Sequence, residues 1–189
     1  AASRSGAPVI LADETDSLVR QLGARFFERL RGMLGRIVLV LASRRELDLL
    51  FSEIGSGSPL HNRLEFAWLG LLEERAADEL IQLGAPRHAE LMRRWAGRHP
   101  FFLQLLGFYL VEAESSGEPI AVALDRFRVQ ADARLRELWR VLSPREQGDL
   151  KRTLTGAAAN RRSLPNRGLV TEDGRPFGEV LTAWMREEL

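Results

Sequence analysis

The chain has 189 residues, 27 basic and 26 acidic side chains, a net charge of +1 and no cysteine. Disulfides and thiolate metal sites are therefore excluded, no global field argues for nucleic acid or membrane, and a reducing cytoplasm fits. A hydrophobic fraction of 45% with 28% charged residues suits a globular protein; no apolar run reaches transmembrane length and no signal peptide is visible.

Residues 1–7 are small and polar, and disorder is expected there. Pro8-Val9-Ile10-Leu11-Ala12-Asp13-Glu14 reads as a strand buried on both faces of a parallel sheet, running into an acidic pair. Carboxylates at that position lie at the sheet's carboxyl edge, where open α/β sheets place ligands. Asp13 there can hold Mg²⁺, and Glu14 can orient and deprotonate a water that attacks a phosphate. The plainer alternative is an acidic cap for the next helix. Leu18, Leu22, Phe26, Leu30 and Leu34 then repeat at helical spacing over 15–34, and Gly35 is a natural stop. Ile37 to Leu41 is a second buried strand, ending at Ala42-Ser43-Arg44-Arg45. A short helix from Glu46 to Phe51 and a Gly/Ser/Pro loop over 54–62 follow. Leu64 to Leu69 alternates, reads as a third strand and ends at Gly70. Strands alternating with helices imply a parallel sheet.

The pattern then becomes helical. Helices are expected from Leu72 to Gly84, from Pro86 to Ala96 and from Pro100 to Glu114. The last is apolar on nearly every face and should be buried in a core. Ser115-Ser116-Gly117 is a linker, and Ile120 to Leu142 is a long amphipathic helix. Ser143-Pro144-Arg145-Glu146 is a capping box opening a helix to about Leu154. Leu164 and Gly168-Leu169-Val170 suggest a short helix turning into a strand. Thr171 to Arg175 is a hairpin signal centred on Asp173-Gly174, and Phe177 to Leu189 is a closing helix. That order, at this size, is a winged helix.

One count matters more than the rest. Lys151 is the only lysine, and it stands between Leu150 and Arg152 in a helical pattern. A phosphate-binding loop needs a lysine beside a glycine, between a strand and a helix. The glycine-rich stretch Gly55-Ser56-Gly57-Ser58 has no lysine and runs into Pro59. The chain holds no Walker A motif.

The strand ending in Asp13-Glu14 resembles a Walker B motif. Ser43-Arg44 ends the second strand, Ser58-Pro59-Leu60-His61-Asn62-Arg63 precedes the third, Gly97-Arg98-His99-Pro100 opens the apolar helix, and the winged helix comes last. This order, from Val9 to Leu189, resembles the STAND branch of the AAA+ ATPases and the related archaeal and replication-initiator ATPases. The resemblance implies that Asp13 binds Mg²⁺, Glu14 is the catalytic base, Ser43 or Arg44 senses the γ-phosphate and Arg63 is an arginine finger. It also implies that His99 with Pro100 contacts the adenine of ATP or ADP, and that the winged helix locks the closed state.

In that family the P-loop strand lies between the sensor strand and the last strand, and here it is absent. The expected fold is therefore a partial P-loop α/β core with a parallel sheet (1–71), an all-α lid (72–116), and a connecting helix with a winged helix (117–189). Such a chain is the C-terminal part of an ATP-dependent regulatory switch and is inactive alone. Its sheet would be completed by an N-terminal P-loop half, by another chain or by oligomerisation. The alternative is a non-enzymatic winged-helix module for DNA or protein binding. Arg161, Arg162 and Arg167 are then candidate phosphate contacts. Residues 140–189 nevertheless carry nine basic and seven acidic side chains, so their field is weak. Pro165 interrupts the second helix at a cost of about 3 kcal/mol. Weak, sequence-independent DNA binding at most is expected.

Overall fold

The runs Val-Ile-Leu-Ala and Val-Leu-Val-Leu form β1 (Val9–Ala12) and β2 (Val38–Leu41) in a computed structural model that describes residues 6–55 and 60–189. The expected disorder at 1–5, and residues 56–59 of the Gly/Ser/Pro loop, lie outside the described residues. β1 and β2 pair in parallel, with Val9 opposite Val38 and Ala12 opposite Leu41. The ladder extends past both ends: Val38 N donates to Pro8 O at 2.9 Å and Ala42 N to Ala12 O at 2.8 Å. The chain divides into two compact units, up to Ala67 and from Trp68 onward.

In the first unit, α1 (Thr15–Met33) connects the strands and α2 (Leu47–Glu53) follows them. Val19, Phe27, Leu30, Ile37, Leu47, Leu50, Phe51 and Leu60 form its core, and Leu39 and Leu41 of β2 rest against it. The buried stripe of α1 is not the expected one. Leu22 and Phe26 are exposed. The cause is Gly23, whose φ of 66° and ψ of 177° break the helix and reset its phase. The strands differ from expectation too, because only one face of the sheet meets the core, through Leu39 and Leu41, and even there Ile10 stays 40% exposed. Val9, Leu11, Val38 and Val40 share the other face and are 59%, 75%, 48% and 51% exposed.

Leu64 to Leu69 is not a strand. It leaves a 3-10 turn (Leu60–Arg63) and continues without regular structure. The local alternation is right, but a strand persists only where a neighbour takes its backbone donors and acceptors. Among the described residues the sheet contains β1 and β2 alone.

The second unit is helical: α3 (Glu74–Gly84), α4 (Ala89–Ala96), α5 (Pro100–Ser116), α6 (Ile120–Arg140), α7 (Pro144–Arg152), α8 (Ser163–Asn166) and α9 (Glu179–Glu188). Phe102, Leu103, Leu106 and Leu110 of α5 lie at the centre of one continuous core. That core takes in Ile81 and Met92 on one side and Phe127, Leu169, Phe177 and Leu181 on the other. The regions 72–116 and 117–189 therefore share their hydrophobic interior. α5 is not buried on nearly every face, since Phe101, Phe108 and Val111 form an exposed stripe.

The hairpin is small. Its strands meet only at the Val170–Pro176 bridge, and its turn is closed by Thr171 N donating to Arg175 O at 2.8 Å. Gly174, with φ of 77°, lies so close to the loop before α8 that a Cβ would meet Ala159 O at 2.4 Å. Pro165 sits inside α8, which is four residues long. No helix of the described residues is long and apolar enough to cross a membrane.

Candidate functional site

The carboxyl edge of the sheet gathers most of the expected residues. β1 ends at Ala12, and Asp13 and Glu14 form the turn into α1. Glu14 has φ of 49° and ψ of 45°, the left-handed region, and is the one non-glycine residue there among those described. Such a backbone costs on the order of 1–2 kcal/mol and persists only when its surroundings fix it. Here Asp13 Oδ1 accepts Glu14 N at 2.7 Å. Thr15, fully buried, donates its N–H to Ala42 O at 2.9 Å, and Ser17 N reaches Glu14 O at 2.8 Å. The turn is thus stitched to the end of β2.

The second stitch is Asp16, which is buried in the first turn of α1. Its Oδ2 accepts Arg44 N at 2.9 Å and lies 3.1 Å from the Ser43 hydroxyl. That hydroxyl has a second acceptor, Arg45 O at 2.6 Å. Arg44 then turns its guanidinium to Glu14, with Nη2 to Oε1 at 2.8 Å. The two side chains are 68% and 61% exposed. Water screens the pair, which is worth about 0–1 kcal/mol and can open. The Arg45 side chain takes no part, being paired with Glu53, with Nη1 to Oε2 at 3.0 Å.

The structure therefore brings Asp13, Glu14, Ser43 and Arg44 to one edge, with Asp16 as the tie between them. Asp16 was not among the residues that the sequence singled out. Its signal was indirect: the N–H and hydroxyl groups following β2 need an acceptor, and the first turn of the helix after β1 can supply one.

Arg63 does not join this group. It is exposed at the end of the 3-10 turn and lies outside the Asp16–Ser43–Arg44–Glu14 network. Asp13 is exposed. Among the described residues no three His, Cys, Asp or Glu side chains converge as a metal site. One exposed carboxylate still fits Mg²⁺, which keeps most of its waters and takes other ligands from phosphates.

His99 and Pro100 belong to the second unit. Pro100 is the first residue of α5, where its missing N–H costs nothing. The His99 ring is 9% exposed, with the rings of Phe102 and Phe177 at 4.7 and 4.9 Å. Its Nδ1 has no hydrogen-bond partner. Burial, helped by the positive charge of Arg134, pushes its pKa down to about 4, so the ring is neutral at pH 7. It faces the unit's own aromatic core. Beside it, Arg98 donates through Nη1 to Leu72 O at 3.1 Å and pairs with Glu172 of the hairpin turn. A Cβ on Gly97 would lie 1.7 Å from Phe177 O, so only glycine fits. The turn from Gly97 to Pro100 thus joins α4 and α5 to the hairpin region.

No protein-family model, curated protein or solved structure matches this chain.

Proposed function

We propose that the chain is the C-terminal part of a STAND/AAA+-type ATP-dependent switch, whose phosphate cradle comes from a P-loop segment outside residues 1–189. The observation that carries this reading is the 2.8 Å Glu14–Arg44 pair at the carboxyl edge of a parallel sheet, with Asp16 tying the acidic turn to the polar end of β2. An acidic turn beside a cation at that edge is the arrangement phosphoryl transfer requires. The unformed third strand supports it further, since a segment whose neighbouring strand is missing has nothing to pair with, and the uncovered sheet face has room for the helices that a P-loop segment would bring.

When bound, Mg-ATP supplies the anhydride that is hydrolysed. Asp13 would hold the ion through a carboxylate oxygen. Glu14 would orient a water and take its proton. In the present arrangement Glu14 is engaged by Arg44. A phosphate at this edge competes for the guanidinium and leaves the Glu14 carboxylate to the water. Ser43 is held by Asp16 and keeps the end of β2 in place while Arg44 moves.

ATP turnover by the natural full-length protein tests this. Glu14→Gln should lower it by about a hundredfold or more, with Mg-ATP affinity retained. Residues 1–189 alone should show none. Full-length turnover indifferent to Glu14→Gln would contradict the proposal, and so would turnover by residues 1–189 alone that this substitution abolishes.

A further inference from the structure

Charge in the last fifty residues is balanced along the chain but not in space. Residues 140–167 carry seven basic and two acidic side chains. The two acids, Glu146 and Asp149, are buried and are used inside the fold. Glu146 Oε2 accepts Ser143 N at 2.8 Å, and its Oε1 accepts Arg167 Nε at 3.2 Å. Asp149 Oδ2 accepts the backbone N–H groups of Asn160 and Arg161, both at 3.0 Å, and its Oδ1 pairs with Arg152. The acids that balance the total lie further on and are already engaged. Glu179, Glu187 and Glu188 of α9 pair with Arg94, Arg128 and Arg136, and Glu172 pairs with Arg98.

A cationic surface remains. Arg140, Arg145, Lys151, Arg161 and Arg162 are exposed, and among the described residues none of them has a carboxylate at ion-pair distance. Asp149 gathers three of them, Lys151, Arg161 and Arg162. Its two backbone hydrogen bonds hold the 160–162 loop against the last turn of α7, next to Lys151 and Arg152. Lys151 is itself steadied over the Trp139 ring, 5.6 Å from its centroid. The sequence count understates this surface because it sets buried carboxylates against exposed cations.

We propose that the last turn of α7 and the 160–162 loop bind the phosphate backbone of duplex nucleic acid without reading its sequence. Several cations on a pinned framework suit a repeating anion. Between Leu142 and Glu188 no large apolar side chain is exposed. A lipid surface therefore finds no anchor there, and the half-buried Trp139 ring already carries Lys151, which leaves a single strand no free face to stack on. α8, four residues long and containing Pro165, is too short to present a reading face to a groove, so base contacts are not part of the site. This reading does not depend on the nucleotide reading of the first unit.

The test is fluorescence anisotropy of the whole chain with a random-sequence DNA duplex. With about four phosphate contacts, affinity should fall roughly 150-fold between about 50 and 200 mM salt. Arg161→Glu with Arg162→Glu should weaken binding about tenfold or more at the lower salt, and Arg75→Glu on α3 should leave it unchanged. Lys151→Gln leaves the Asp149 hydrogen bonds intact and guards against a folding artefact; it should make the salt dependence shallower by about one contact. Failure to bind at low salt overturns the proposal, as does a loss equal in the Arg75→Glu control. Tighter binding to anionic phospholipid vesicles, or to a single strand, also overturns it.

Discussion

The two units solve the same problem to different degrees. The second buries all but one stripe of its central helix: α5 contributes Phe102, Leu103, Leu106 and Leu110 to a core reached by residues from Ile81 to Met185. The first has a core on one face of a two-stranded sheet and leaves Val9, Leu11, Val38 and Val40 in water on the other. Parallel sheets are ordinarily covered on both faces. The same kind of apolar sequence is thus fully used in one unit and left half in water in the other.

The largest effects should come from the closed unit. Phe102→Ala removes a fully buried ring that contacts His99, Phe127 and Phe177, and should cost about 3–5 kcal/mol in denaturant unfolding of the second unit. A loss near that of a surface change would break the comparison.

Glu146 comes next. Burial pushes its carboxyl up, but bonds from Ser163 and Ser143 and the charge of Arg167 outweigh this and hold it at about 2. A depressed carboxyl stabilises above its unfolded value of 4.5, and that contribution disappears as the pH falls from there toward about 2. Glu146→Gln should therefore cost on the order of 3 kcal/mol at neutral pH and flatten the acid limb of the stability curve.

His99 sharpens the comparison from the same side. The unfolded ring takes its proton near 6.5 and the folded one near 4, so stability falls as the pH drops through that interval. At pH of about 5 the loss should be roughly 2 kcal/mol relative to pH of about 8, and His99→Phe should abolish it. A pH profile that His99→Phe leaves unchanged would show that the ring is wetter than its aromatic neighbours imply.

The smallest effect should belong to the open face. Leu11→Ser in the isolated chain should change stability by no more than about 0.5 kcal/mol, because the side chain is already in water. With the proposed P-loop segment joined to the chain, the same change should cost at least about 1.5 kcal/mol. Equal effects in both would mean that nothing covers this face.

What the sequence revealed and what it hid divide along the same line. The capping box from Ser143 to Glu146, the turn from Gly97 to Pro100 and the pairing partners β1 and β2 were legible because each rests on contacts within a few residues or on a strong apolar run. Leu64 to Leu69 misled because alternation describes the strand alone, whereas a strand exists only with its neighbour. Leu22 and Phe26 misled because one glycine, Gly23, shifts every later residue around the helix axis. Asp16 was invisible because its partners, Ser43 and Arg44, are twenty-seven and twenty-eight residues away and meet it only once the strands pair. The surface at Arg161 and Arg162 was hidden for the opposite reason, since a charge count treats the buried Asp149 as if it stood in solvent.

Amide hydrogen exchange on residues 1–189 tests the central contrast most directly. The account predicts that the amides of β1 and β2 exchange at least about a hundredfold faster than those of α5 between Phe102 and Leu110, because a two-stranded sheet with one face in water opens at little cost. Equal protection of the two regions in the isolated chain would contradict it, since the first unit would then be as complete as the second.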